Sequence, residues 1–280
     1  MKDRAEMHEA RLSVGDASGL NRGRDTSCAV VREAYEVTTV RTAVLLAAGA
    51  GSRLQPMTHD APKCLSEING VSILEQQVRC LSRWGFDHLV MVVGHLESQI
   101  RDFFDRTDPG LTIDYVVNPH YRTTNNSYSL WLAREKVSEP FLLLECDLFF
   151  REMSLRGMLE PNKVAVSNVR PWMSGTTVDV DDDRRITSFR VGQHAERFSF
   201  KTVNIYSFSM ATWSEMTRRL DQRIRSGEVD AYYEVVLSEM VADGDRSFEA
   251  VDFPEHDWHE IDSLEDLRAA ARAVTSPVWI

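Results

Sequence analysis

From Thr42 onward, short apolar runs alternate with stretches of helical periodicity. Thr42–Ala48 reads as a buried strand and residues 49–54 as a turn-rich loop. Val71–Trp84 has the apolar spacing of a helix and ends at Gly85, a natural helix stop. His88–Val93 predicts a strand, Leu96–Asp105 a helix, Leu111–Val117 a strand, Ser127–Lys136 a helix and Phe141–Cys146 a fully apolar strand. This β-α-β-α order predicts an α/β fold with a mainly parallel sheet and helices on both faces.

After Asp147 the texture changes. Val164–Val169, Thr176–Val180, Ile186–Arg190 and Thr202–Phe208 read as short strands with turn signals between them, clearest at Asp181–Asp183. They predict a small antiparallel lobe, about residues 164–210, laid over the ligand edge of the sheet. Helices over Ala211–Arg225 and Ala231–Ala242 follow, then strands near Phe248–Val251 and Trp258–Ile261, and a last helix from Leu264 to Val274. Residues 1–41 are polar, with Gly15, Gly19 and Gly23, and read as a mobile N-terminal extension to one domain over 42–280.

Composition narrows the partners. The 280 residues are 43% hydrophobic, ample for a core, and carry a formal charge of −11. Without a basic run or stripe, a nucleic-acid polymer is a poor partner. Cys28, Cys64, Cys80 and Cys146 form no CxxC pair, and no apolar run approaches a membrane span. The expectation is a reduced, cytoplasmic protein without a membrane partner; a homodimer is left open.

The chemistry concentrates at the end of the first strand. Leu45-Leu46-Ala47-Ala48-Gly49-Ala50-Gly51-Ser52-Arg53-Leu54 is followed by Pro56, Thr58, Pro62, Lys63 and Leu65. Small residues let backbone N–H groups close around phosphate oxygens, and Arg53 and Lys63 add two cations. A GxG alone is equally a tight turn; Leu54 stands where a dinucleotide fingerprint needs its third glycine, and no Gly-Lys-Ser/Thr is present. The whole string resembles the signature GxGxRLxPxTxxxPKxL of the sugar-1-phosphate and choline-phosphate nucleotidyltransferases, matched at nine spaced positions.

That resemblance implies a three-layer α/β/α, GT-A-like fold, a catalytic Arg53 and Lys63, and a Mg²⁺ site. It places Gly51, Ser52 and Arg53 on the triphosphate, counts Ala48 and Gly49 among the nucleotide-binding residues, and puts Lys63 against the α-phosphate or the second substrate. Asp147 follows the apolar strand 141–146, where open α/β sheets bind ligands, and is the first metal candidate. Trp258-His259-Glu260-Ile261-Asp262 resembles the W-x-E-I-D segment of bacterial choline-phosphate cytidylyltransferases, which implies Asp262 as the second metal ligand with Glu260 assisting. Asp262 or Ser263 can equally cap the helix that follows. His256-Asp257-Trp258-His259 lacks a third spaced ligand and is a weak zinc signal.

Asn125-Asn126-Ser127-Tyr128-Ser129 resembles the Asn-Asn-x-Tyr-Ser/Thr loop of choline-phosphate and phosphonate cytidylyltransferases, which implies Asn125, Asn126 and Ser127 as pyrimidine contacts. Asn126 or Ser127 also suits the helix cap there. Lys201-Thr202-Val203-Asn204-Ile205-Tyr206-Ser207-Phe208 resembles a phosphonate-enzyme strand; Lys201 either binds the acceptor's oxyanion or is an exposed strand-end lysine. Trp172, Asp230, Tyr232, Tyr233 and Glu234 stand where that family lines its acceptor pocket, with core packing the competing reading of the aromatics. The expected reaction joins CMP from CTP to a small phosphonate, 2-aminoethyl or 2-hydroxyethyl, releasing pyrophosphate. Phosphocholine, a sugar 1-phosphate, or a silent nucleotide-binding role are the alternatives.

Overall fold

The computed structural model describes residues 39–170, 173–192 and 199–274. The expected N-terminal extension lies outside these apart from residues 39–41. Val40 is fully buried, and its N–H donates to Leu159 O at 2.8 Å.

β1 (Thr42–Ala47) is buried along nearly its whole length, as an apolar run with a parallel partner on each side must be. β2 (Glu67–Ile68) and β3 (Val71–Ser72) form a small hairpin before α1 (Ile73–Arg83). The helix starts two residues later than its periodicity predicts, because Val71 pairs with Ile68 and Ser72 Oγ accepts from Glu75 N–H as the cap. β4 (His88–Val93), α2 (Glu97–Thr107), β5 (Thr112–Val117), α3 (Asn126–Ala133) and β6 (Phe141–Glu145) complete a parallel block in the order β6-β1-β4-β5.

Next come β7 (Leu148–Phe150), β8 (Lys163–Asn168), β9 (Thr177–Val180), β10 (Ile186–Arg190) and β11 (Phe200–Phe208). α4 (Met210–Arg225), α5 (Glu234–Ala242), β12 (Glu249–Asp252), β13 (Trp258–Glu260) and α6 (Leu264–Ala273) follow. The antiparallel strands are not a layer over the sheet's edge; they continue the sheet itself. β11 is long enough to pair with β6 through 205–208 and with β8 and β9 through its first residues, giving one nine-stranded sheet. Its near-total burial requires such partners on both edges.

Helices cover both faces, so the fold is α/β with a mostly parallel central block. One apolar cluster joins Leu45, Leu74, Leu81, Phe104 and Ile205 beneath α1 and α2. The other joins Val44, Leu130, Phe141, Trp213 and Leu237 beneath α3, α4 and α5. Among the described residues, no helix is long and apolar enough to cross a membrane. A separate antiparallel pair, β7 with β13, sets Glu260 opposite Leu148, and Ile261 N–H donates to Asp147 O at 2.9 Å. That pairing brings Asp147 and Asp262 to one place.

Candidate active site

The loop after β1 is shaped by one glycine. Gly51 has φ +59°, and a Cβ there would meet Thr58 Cγ2 at 3.0 Å and Lys63 Cβ at 3.1 Å. Thr58 Oγ1 donates to Gly51 O at 2.9 Å, so the loop is tied to the segment that carries Lys63. The conformation and the close approach both require glycine.

Lys63 sits on a short 3-10 turn and reaches two carboxylates. Its Nζ is 3.0 Å from Asp147 Oδ2 and 2.7 Å from Asp262 Oδ1. Burial alone would lower its pKa, but Asp147 and Asp262 outweigh burial and hold the ammonium above 10.5. Arg53 Nη1 lies 2.7 Å from Asp262 Oδ2. Ser263, not Asp262, caps α6, in a capping box with Asp266 that leaves the Asp262 carboxylate to the site.

Two of the three expected metal ligands therefore converge. Asp147 Oδ1 is buried without a hydrogen-bond partner, and an oxygen-only donor set suits a hard divalent ion. Glu260 turns instead to Lys201 Nζ at 3.8 Å and accepts from Asn204 Nδ2 at 3.4 Å. Among the described residues no three His, Cys, Asp or Glu side chains group as a metal site.

A cavity of about 190 Å³ opens beside Lys63 and Asp147, lined also by Ala48, Gly49, Asn126 and Glu145. The amides expected to read a base are largely engaged by the protein. Asn125 is the α3 cap, its Oδ1 accepting from Asn126 N–H at 2.8 Å. Asn126 Nδ2 donates to Glu145 Oε1 at 3.1 Å, while its Oδ1 accepts from Tyr233 N–H at 3.0 Å. Ser127 is buried with its hydroxyl unpartnered. Glu145, which the sequence reading passed over, links this loop to Tyr233, whose hydroxyl donates to Glu145 Oε1 at 3.0 Å. Burial pushes the Glu145 carboxyl well up, as does the neighbouring Asp147. A carboxylate two residues before Asp147 on a buried strand was the available signal.

On the other side of Asp262 lies a cavity of about 600 Å³ lined by Arg53, Met173, Trp258, Glu260 and Asp262. Lys201 is 2% exposed, so it is no surface lysine; its Nζ donates to Thr202 O at 2.9 Å and packs against Gly175. Glu234 is buried, accepts from Tyr206 Oη at 3.5 Å, and burial pushes its carboxyl up to about 7. Tyr233 is fully buried and turned towards Glu145, whereas Tyr232 is half exposed. Asp230 accepts from Asn125 Nδ2 at 3.4 Å. Trp172 lies outside the described residues. Trp258, part of the W-x-E-I-D segment, lines this cavity with His259 among the described residues.

Backbone donors at a strand end, beside a lysine oriented by two carboxylates, suit transfer between phosphate oxygens, and fold and site together define a nucleotidyltransferase. Residues 43–172 match the family model of the MobA-like NTP transferase domain. It is 33% identical over 240 residues to the CMP-5'-(3-aminopropyl)phosphonate synthase of Streptomyces rubellomurinus, across 81% of this chain and only 38% of that protein. It is 26% identical to the choline-phosphate cytidylyltransferase of Streptococcus pneumoniae, across 81% of this chain and 95% of that one. The structure of the Streptococcus pneumoniae CTP:phosphocholine cytidylyltransferase superposes with a TM-score of 0.74 at 22% identity, covering 85% of this chain and all of that one, a likeness of fold.

Proposed function

We propose that the chain transfers CMP from CTP to a small aminoalkyl- or hydroxyalkylphosphonate and releases pyrophosphate. The observation that carries the reading is Lys63 held between Asp147, which lines the smaller cavity, and Asp262, which lines the larger one. The smaller cavity suits the nucleotide and the larger one the acceptor. Of the relatives named above, one is by its name a synthase of a CMP-linked phosphonate and the other a cytidylyltransferase of choline phosphate. An acceptor oxyanion is ionised near neutral pH, so the attack on the α-phosphorus needs positioning and charge neutralisation and no general base.

Lys63 stabilises the charge that develops on the α-phosphate, and Arg53, facing the larger cavity, orients the acceptor oxyanion. Asp147 and Asp262 would hold Mg²⁺, which when bound neutralises phosphate oxygens of both substrates. Glu260 supports Lys201 at the acceptor side. The tail favours a phosphonate over phosphocholine: Glu260 lies on the cavity wall with the buried Lys201 3.8 Å from it, and Tyr233, buried against Glu145, is not available to an aromatic cage. A pyrophosphate-release assay over four nucleoside triphosphates, each with 2-aminoethylphosphonate, 2-hydroxyethylphosphonate, phosphocholine and glucose 1-phosphate, tests this. Turnover confined to glucose 1-phosphate, or to a purine nucleotide, would overturn it.

A further inference from the structure

The signature arginine faces away from the loop it is expected to serve. Arg53 is bound to Asp262 and lines the larger, acceptor-side cavity. The glycine loop opens onto a different space, a polar cavity of about 670 Å³ lined by Gly51, Ser52, Thr58, His95, Tyr121 and Arg122. Tyr121 is shared with the smaller cavity beside Lys63, so the two spaces adjoin. A triphosphate whose α-phosphate lies at Lys63 and whose base occupies the smaller cavity would extend its outer phosphates along this loop. Lys63 is assigned to the α-phosphate and Arg53 lines the acceptor-side cavity, so the outer phosphates call for a further cation on this loop's own cavity.

We propose that Arg122 is the positioning residue for the outer phosphates, and so for the pyrophosphate that leaves. Its guanidinium is the permanently charged group lining this cavity. Among the described residues no carboxylate pairs with it, in a chain of net charge −11 where acids are plentiful. Its Nε donates to Tyr121 Oη at 3.2 Å, and its Cζ lies 5.6 Å from the Tyr121 ring centroid. That contact holds the side chain at the cavity wall and leaves the two terminal nitrogens as a fork. Such a fork matches two phosphate oxygens better than a lysine does. Tyr121 is itself braced by His95, 5.9 Å away ring to ring, and the His95 Nε2 lies 3.0 Å from the O of Thr58, whose hydroxyl binds Gly51 of the loop. The sequence reading passed over Arg122 because it lies outside the nine-position signature.

The inference rests on the nucleotidyl-transfer reading, and binding measurements separate the two. Calorimetric titration of wild type, Arg122→Ala and Arg122→Lys would use CTP, CMP and inorganic pyrophosphate in turn. Arg122→Ala should bind CTP and pyrophosphate about tenfold more weakly, on the scale of charge-assisted hydrogen bonds, with CMP affinity and melting temperature unchanged. Arg122→Lys should recover part of the loss. In turnover, the KM for CTP should rise with the KM for the acceptor unmoved. Equal losses for CTP and CMP, or no loss for either, would overturn the assignment. Wild type that binds CTP but turns over no acceptor would count against the proposed reaction and leave the CTP-to-CMP comparison as the test of Arg122.

Discussion

Lys63 and Asp262, 199 residues apart in the chain, meet at 2.7 Å. The contact depends on β7 pairing with β13, because only that pairing delivers Asp262 beside Asp147. Asp147→Asn and Asp262→Asn should each lower turnover by roughly 10³-fold, on the scale of losing one preorganised charged group. Circular dichroism should show the fold retained, and chelation with EDTA should abolish wild-type activity with recovery on adding Mg²⁺. Near-normal Mg²⁺-dependent rates in both variants would remove the aspartates from the mechanism.

Gly51 offers a sharper structural test. Alanine there adopts φ near +59° at a cost of about 1 kcal/mol, and its methyl meets Thr58 and the Lys63 Cβ. Gly51→Ala should lower the melting temperature by several degrees and reduce kcat beyond what the lost stability explains, because Lys63 is displaced. Gly49 has open space around its position, so Gly49→Ala should be milder on stability. Equal thermal penalties for the two would show that the loop yields freely.

Much of this was legible in the sequence, for physical reasons. Buried parallel strands are apolar over their whole length, so 42–47 and 88–93 stood out, and Ile186–Arg190 matches its predicted bounds. The union of the antiparallel strands with the main sheet was not legible, since the β6–β11 pairing joins segments some 60 residues apart and no local pattern encodes it. Nor was the burial of Lys201, because a lysine in an alternating strand reads the same whether its amine meets water or Glu260. The predicted helix from Ala231 starts at Glu234 because Asn126 Oδ1 takes the Tyr233 N–H. Sequence reading found the Asn-Asn loop but not that its amides are spent inside the protein.

Glu234 gives a pH signature. Burial raises its carboxyl from 4.5 to about 7, and its Oε2 is buried without a partner. An acid whose folded pKa is raised binds its proton more tightly in the native state, so stability is greatest below the unfolded value of about 4.5 and declines as pH rises towards 7. Glu234→Gln removes that dependence. The melting-temperature difference between the variant and wild type should grow in favour of the variant from pH 5 to pH 7 and level off above pH 8. A difference that does not change with pH would mean that Glu234 is solvated.

Acceptor choice is the most exposed expectation. A quaternary ammonium needs aromatic faces and offers no N–H, whereas a primary ammonium or hydroxyl needs oxygen or nitrogen partners. At the larger cavity Glu260 lies on the wall, with Lys201 3.8 Å behind it, while Trp258 lines it with His259. A choline head would bury against Glu260 without hydrogen-bonding to it, leaving polar groups desolvated and unpaired at about 1–3 kcal/mol. With CTP, kcat/KM for 2-aminoethyl- or 2-hydroxyethylphosphonate should therefore exceed that for phosphocholine by at least about tenfold, or ~1.4 kcal/mol. Glu260→Gln should narrow the gap chiefly by raising KM for the amine, because the neutral amide still accepts a hydrogen bond but no longer attracts a cation. Lys201→Met should raise KM for every acceptor alike, since it removes a charge that supports the site without touching the tail. A higher kcat/KM for phosphocholine in the wild type would show that the aromatic face of Trp258, and not the Glu260 carboxylate, decides acceptor choice.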